Sequence, residues 1–217
     1  MRRLRDRREA GRILAAELMS YAGRPEVVVL GLPRGGVVVA YEVAAALRAP
    51  LDIFMVRKLG VPGHEELAMG AIASGGVLTL NDDVVSTLGI TPEQIDAAVK
   101  RQQAVLEQRE AVYRGAAPPL RLEGKTVIVV DDGLATGASM RTALRALRQH
   151  DPGRLVVAVP VGPESTCREL AADAEEVVCA VMPDPFQAVG AWYQDFSQTE
   201  DEEVVDLLLK ASVGPSA

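Results

Sequence analysis

Continuous apolar runs alternate along this chain with longer stretches whose apolar residues recur at helical spacing. Residues 26–32, 51–56, 127–130, 155–159 and 177–181 are short, rich in Val, Ile and Leu, and almost free of polar breaks. That is the signature of strands buried on both faces. Between them, helices are predicted over 7–21 (Ile13, Leu14, Leu18 and Tyr21 in register), 37–47, 137–150 and 162–172, with a further helix over 201–209 in the tail. Thr91 followed by Pro92 and Glu93 is an N-cap with proline at the first helical position, so another helix is predicted from 91 to about 113. Residues 68–74 and 77–80 read as two short strands around Gly75-Gly76, and 60–66 as a polar, turn-rich loop.

Strands alternating with helices imply an α/β fold: a central parallel sheet with right-handed crossovers, flanked by helices. Ligands of such sheets bind beyond the carboxyl ends of the strands. Three loops therefore draw the search for chemistry: 31–36, 57–66 and 131–139.

Composition narrows the function classes. The 217 residues are expected to form a single domain, 1–217, with a helical insertion at about 91–120 and a closing segment at about 182–200. A net charge of -7, from 23 basic and 30 acidic residues, argues against a nucleic-acid binder, which needs a basic face. Cys167, Cys179, His64 and His150 share no metal-ligand spacing, and two thiols without a framework suit a reducing cytoplasm. The basic start Met1-Arg2-Arg3-Leu4-Arg5 is followed by Asp6, Arg7, Arg8 and Glu9 rather than an apolar run, which is unlike a signal peptide. No stretch is apolar enough to span a membrane.

At 127–139, four buried apolar residues run into Asp131-Asp132, then into Gly133-Leu134-Ala135-Thr136-Gly137-Ala138-Ser139 and a helix. Two adjacent carboxylates repel each other and need a partner, and the two hydroxyls of a vicinal diol are one. Small residues before a helix let backbone N–H groups approach a phosphate. A diol site beside a phosphate cradle describes a ribose 5-phosphate.

This pattern resembles the signature for 5-phosphoribosyl 1-diphosphate (PRPP) in type I phosphoribosyltransferases. It departs at Gly133, where a branched residue is common, and at Ala138 and Ser139, where Gly and Thr are frequent. The turn Gly31-Leu32-Pro33-Arg34-Gly35-Gly36 resembles the pyrophosphate loop of the same family. Its G-x-x-x-x-G spacing is not a P-loop, because Val37-Val38 stands where Lys-Ser/Thr is required. The resemblance implies the family's fold with a small C-terminal hood. It also implies transfer of the 5-phosphoribosyl group of PRPP to a nitrogen nucleophile, a nucleobase, with Mg²⁺ and pyrophosphate release, in a cytoplasmic homodimer.

Carried onto this chain, Asp131 and Asp132 hold the ribose hydroxyls, and Ala135, Thr136, Gly137, Ala138 and Ser139 the 5-phosphate. Pro33, Arg34, Gly35 and Gly36, with Arg57 and Lys58, hold the pyrophosphate. The loop 60–66, with His64, stands where the family has a mobile catalytic loop. Phe186, Trp192 and Tyr193 fall in the hood, where aromatic faces would stack on a planar acceptor. Two rivals stand beside this reading: a non-catalytic PRPP or nucleotide sensor of the same fold, and a phosphoacceptor receiver domain, which the Ala-Thr-Gly-Ala-Ser loop opposes.

Overall fold

The computed structural model describes residues 3–213, so Met1 and Arg2 of the basic start lie outside the described residues. The first half of the chain runs α1 (Arg7–Glu17), β1 (Val27–Gly31), α2 (Gly35–Leu47), β2 (Leu51–Ile53), β3 (Val56–Val61), β4 (His64–Ala73), β5 (Val77–Leu80), α3 (Asp82–Thr87) and α4 (Pro92–Arg114). The second half runs β6 (Thr126–Val130), α5 (Ala138–Arg148), β7 (Arg154–Val161), α6 (Glu164–Leu170), β8 (Glu176–Val181) and α7 (Asp201–Val213).

Five strands form the parallel sheet in the order β2-β1-β6-β7-β8. Val27–Gly31 of β1 and Val127–Val130 of β6 are buried, as their unbroken apolar sequences require. On one face Leu14 of α1, Leu18 just after it, and Val39, Val43 and Leu47 of α2 cover Val27, Val29, Ile128 and Val130. On the other, Met140, Leu144, Leu147 and Leu170 of α5 and α6 cover Val28, Leu30, Val127 and Val129.

The strand order reverses between β1 and β6, because the chain moves outward from β1 to β2 and in the other direction from β6 to β7. The two strands also end level, with Gly31 paired to Val130. The turn after β1 and the acid pair after β6 therefore leave the sheet side by side, at the switch point where such sheets bind ligands.

The apolar run 51–56 predicts one strand, but the structure divides it. After Ile53 the chain leaves the parallel sheet, and β3 starts a separate antiparallel sheet, β3-β4-β5. The predicted loop 60–66 is correspondingly a hairpin, with Val61 paired to His64 across the tip. One face of this sheet carries Leu59, Val61, Met69 and Ile72, which pack with Ala98, Leu106 and Tyr113 of α4 and Val204 of α7. Ala98, Leu106 and Tyr113 of α4 are thus covered within the chain, while Val105 and Val112 are exposed. The end of α4 is fastened to β2 by Arg114, whose Nε donates to Asp52 Oδ1 at 2.7 Å in a largely buried ion pair.

Candidate functional site

The turn after β1 passes under the acid pair with no space left over. A Cβ on Gly36 would sit 2.9 Å from Asp131 Cα, and one on Gly35 would sit 2.0 Å from Asp132 Oδ2. Only glycine lets backbone and carboxylates approach this closely. The Pro33–Arg34 peptide is cis. The Arg34 guanidinium does not reach back over the turn; it lies 3.8 Å from both Glu200 and Asp201 at the start of α7.

The partner that the acid pair needs comes from the chain itself. Arg7, in the first turn of α1, donates from Nε to Asp132 Oδ2 at 2.8 Å, with the two side chains only 12% and 18% exposed. Arg7 also donates from Nη1 to the Ser197 carbonyl at 2.7 Å, and the Phe196 ring lies 4.0 Å from its Cζ. Asp131 Oδ1 accepts the Asp132 N–H at 2.8 Å. Each carboxylate thus keeps one oxygen, Asp131 Oδ2 and Asp132 Oδ1, without a hydrogen-bond partner among the described residues. Burial first, and the neighbouring charge of Asp132 second, push the Asp131 carboxyl up to about 8. Asp132 Oδ1 is a free acceptor and Asp131 Oδ2 becomes one when its carboxyl ionises, so together they suit the two hydroxyl donors of a diol.

Behind the pair, Gly137 adopts the left-handed conformation (φ 69°) as N-cap of α5. A Cβ there would also lie 2.8 Å from Thr166 Cγ2, so α6 supports the loop closely. Thr166 Oγ1 donates to the Ala135 carbonyl at 2.9 Å, which leaves that loop's carbonyl turned inward. Ala135, Thr136, Ala138 and Ser139 are exposed. The loop thus presents accessible backbone at a helix N-terminus, which favours an anion.

A cleft of about 280 Å³ lies between α5 and the antiparallel sheet, with Lys58, Thr79 and Asn81 across from Ala138, Ser139, Thr142 and Arg145. The expectation that Arg57 and Lys58 act together at a strand end is corrected here. Both lie inside β3, and successive strand residues face opposite sides. Lys58 lines the cleft, while Arg57 Nε donates to Gln102 Oε1 of α4 at 2.7 Å, behind the sheet. His64 is exposed at the hairpin tip.

In the closing segment, Leu4 forms an isolated parallel bridge with Tyr193, so the N-terminus takes part in this end of the molecule. Tyr193 is buried and its hydroxyl donates to the Asp132 carbonyl at 2.6 Å. Its ring packs on Phe196 with centroids 4.9 Å apart, so it braces the acid pair and offers no open face for stacking. Phe186 and Trp192 are partly buried beside Leu4, Val161 and Val189. The Trp192 Nε1 is buried with no hydrogen-bond partner among the described residues. Val189 explains Gly133, because a Cβ at that glycine would lie 2.5 Å from Val189 Cγ1.

The residues that sequence reasoning missed are Arg7 and Ser197 around Asp132, and Thr142 and Arg145 in the cleft; Phe196, one of the aromatics clustered at 186–196, packs on Arg7. Nothing local marks Arg7 among its arginine-rich neighbours. No group of three or more His, Cys, Asp or Glu among the described residues is arranged to hold a metal ion. The donor set fits Mg²⁺ only as that hard ion binds with phosphorylated substrates, mainly through substrate oxygens and water. No helix among the described residues is long and apolar enough to cross a membrane.

Comparison with known proteins agrees with this fold. A protein of Mycobacterium tuberculosis that carries a provisional phosphoribosyl transferase name is 47% identical over 206 residues, 95% of this chain and 46% of that protein. The chain thus spans about half the length of the curated relatives it matches. The crystal structure of TT1426 from Thermus thermophilus matches with a TM-score of 0.83 at 46% identity, over 96% of this chain and 98% of that one. The sequence pattern of the phosphoribosyl transferase domain covers residues 4–195. With residues 4–195 matched, the chain belongs to the phosphoribosyl transferase domain family, of the type I fold.

Proposed function

We propose that the chain transfers the 5-phosphoribosyl group of PRPP to a nitrogen nucleophile, a nucleobase, and releases pyrophosphate, as salvage of a base in the cytoplasm requires. The observation that carries this reading is the junction of β1 and β6, where a glycine turn, two half-free carboxylates and an exposed phosphate loop meet. Asp131 Oδ2 and Asp132 Oδ1 accept the ribose hydroxyls. The backbone of 135–139 takes the 5-phosphate, and the Pro33–Gly36 turn takes the pyrophosphate with Lys58 from across the cleft. Arg57 contributes from behind, by holding β3 against α4. Mg²⁺, when bound, neutralises pyrophosphate charge. The indole N–H of Trp192, buried without a partner in the ligand-free chain, would donate to a ring nitrogen or carbonyl of the acceptor once the segment that carries Phe186 and Trp192 moves to admit it.

Loss of pyrophosphate leaves positive character on the ribose ring, so catalysis here is mainly positioning and charge complementarity. The test is incubation with PRPP, Mg²⁺ and a panel of bases, read by pyrophosphate release. The Asp131→Asn, Asp132→Asn double variant should lose PRPP binding while remaining folded. Unchanged affinity in that variant would defeat the site assignment, and tight PRPP binding by the parent without turnover on any base would make the protein a sensor.

A further inference from the structure

Asp132 is gripped by three parts of the chain that are remote in sequence: the first turn of α1 through Arg7, the closing segment through Tyr193, and the glycine turn beneath it. We propose that Arg7 is a positioning residue that fixes the Asp132 carboxylate so that Oδ1 faces the ribose diol. This rests on the reading that Asp131 and Asp132 hold that diol.

The bond geometry distinguishes a positioning residue from a lock. Arg7 makes one bond to Asp132, from Nε to Oδ2, rather than a bidentate pair. Oδ1 stays unpartnered, so a ligand hydroxyl can bind without Arg7 leaving. The guanidinium is held from two further directions, by the Ser197 carbonyl at 2.7 Å and the Phe196 ring at 4.0 Å, and is therefore not poised to swing. Tyr193 holds the backbone end of the same residue at 2.6 Å. With Oδ2 and the carbonyl both tied, rotation of the carboxylate would break a charge-assisted bond. Phe196, Ser197 and α1 thereby act on the sugar site through Arg7.

The test compares ribose 5-phosphate, 2-deoxyribose 5-phosphate and inorganic phosphate by calorimetry, in the parent, Arg7→Met and Phe196→Leu. The parent should prefer ribose over deoxyribose by roughly 10-fold or more, the worth of one hydrogen bond to a charged group. Arg7→Met should abolish that preference and leave inorganic phosphate binding unchanged, and Phe196→Leu should reduce it. A parent without preference overturns the diol reading itself. A parent with preference that Arg7→Met keeps in full overturns the role of Arg7, as does equal loss of inorganic phosphate, which would mark a general structural part. If Arg7→Met does not fold, an undiminished preference in Phe196→Leu overturns the proposal.

Discussion

Gly35→Ala tests how tightly the two halves of the site are joined. Gly35 opens α2, and its φ is not in the left-handed region, so alanine meets no backbone penalty there. On propensity alone the change should stabilise by about 0.4–1 kcal/mol. The added Cβ, however, would lie 2.0 Å from Asp132 Oδ2, 2.6 Å from Arg7 Nε and 2.9 Å from Asp132 Cγ. Against an optimal non-bonded separation of about 3.5 Å, the first of these is some 1.5 Å too short. Neither atom is the loose end of an exposed side chain, because Arg7 and Asp132 hold each other at 2.8 Å. Overpacking of this kind costs about 1–3 kcal/mol, and separating a largely buried ion pair about 3–5. The carboxylate regains some water as it moves, so a net loss of about 2–4 kcal/mol is expected. For a chain of this length that lowers Tm by roughly 4–16 °C. Thermal unfolding measures it, alongside PRPP calorimetry, where affinity should fall with the displaced Asp132. An Asp132→Ala background removes the shortest contact and frees Arg7, whose Nε is the other close atom, to move aside, so Gly35→Ala should there cost clearly less than in the parent, a coupling that a double-mutant cycle isolates. Parent-like stability and affinity in the single variant, or additive losses in the double, would refute the reasoning.

Two further outcomes follow from the same region. The folded chain keeps a proton on Asp131 up to about 8, whereas the unfolded chain releases it near the ordinary 3.8, so the folded state binds more protons across that window. Stability of the ligand-free protein should therefore fall as pH rises through it, by at most about 1.4 kcal/mol per pH unit. Denaturant midpoints measured across that range should show the decline, and Asp131→Asn should flatten it; an equally steep slope in the variant would reject Asp131 as its source. Gly133→Val should drive Val189 outward, since even a Cβ lies 2.5 Å from it. The chain has one tryptophan, so loosening of the hood should appear as a red shift of Trp192 emission; an unshifted spectrum would mean that the hood absorbs the clash.

Much of the fold was legible because burial on both faces leaves a local mark. The unbroken apolar runs at Val27–Gly31 and Val127–Val130 lie in the central strands, and Thr91 with Pro92 starts α4, where Thr91 Oγ1 accepts the Gln94 N–H. The run 51–56 misled because an apolar stretch records burial and not which sheet provides it. The chain turns at Phe54 and Met55, whose backbone bonds go to Gly31 in one direction and to Ser74 in the other. Arg57 and Lys58 stand together in the sequence, and only their place within a strand sends them to opposite faces.

Local sequence sets the chemistry available: two adjacent carboxylates, a loop of small residues before a helix, and a glycine turn after a buried strand. Each is a local property, set by neighbouring residues and backbone preference. The tertiary structure alone decided who faces whom. The repulsion within Asp131-Asp132 predicted a partner, and the ribose diol was the expected one. The fold places Arg7 there first, 125 residues away in the chain, and still leaves one oxygen of each carboxylate unpartnered. No local pattern encodes that meeting, because the level ends of β1 and β6 and the closing of the hood over α1 bring those atoms together.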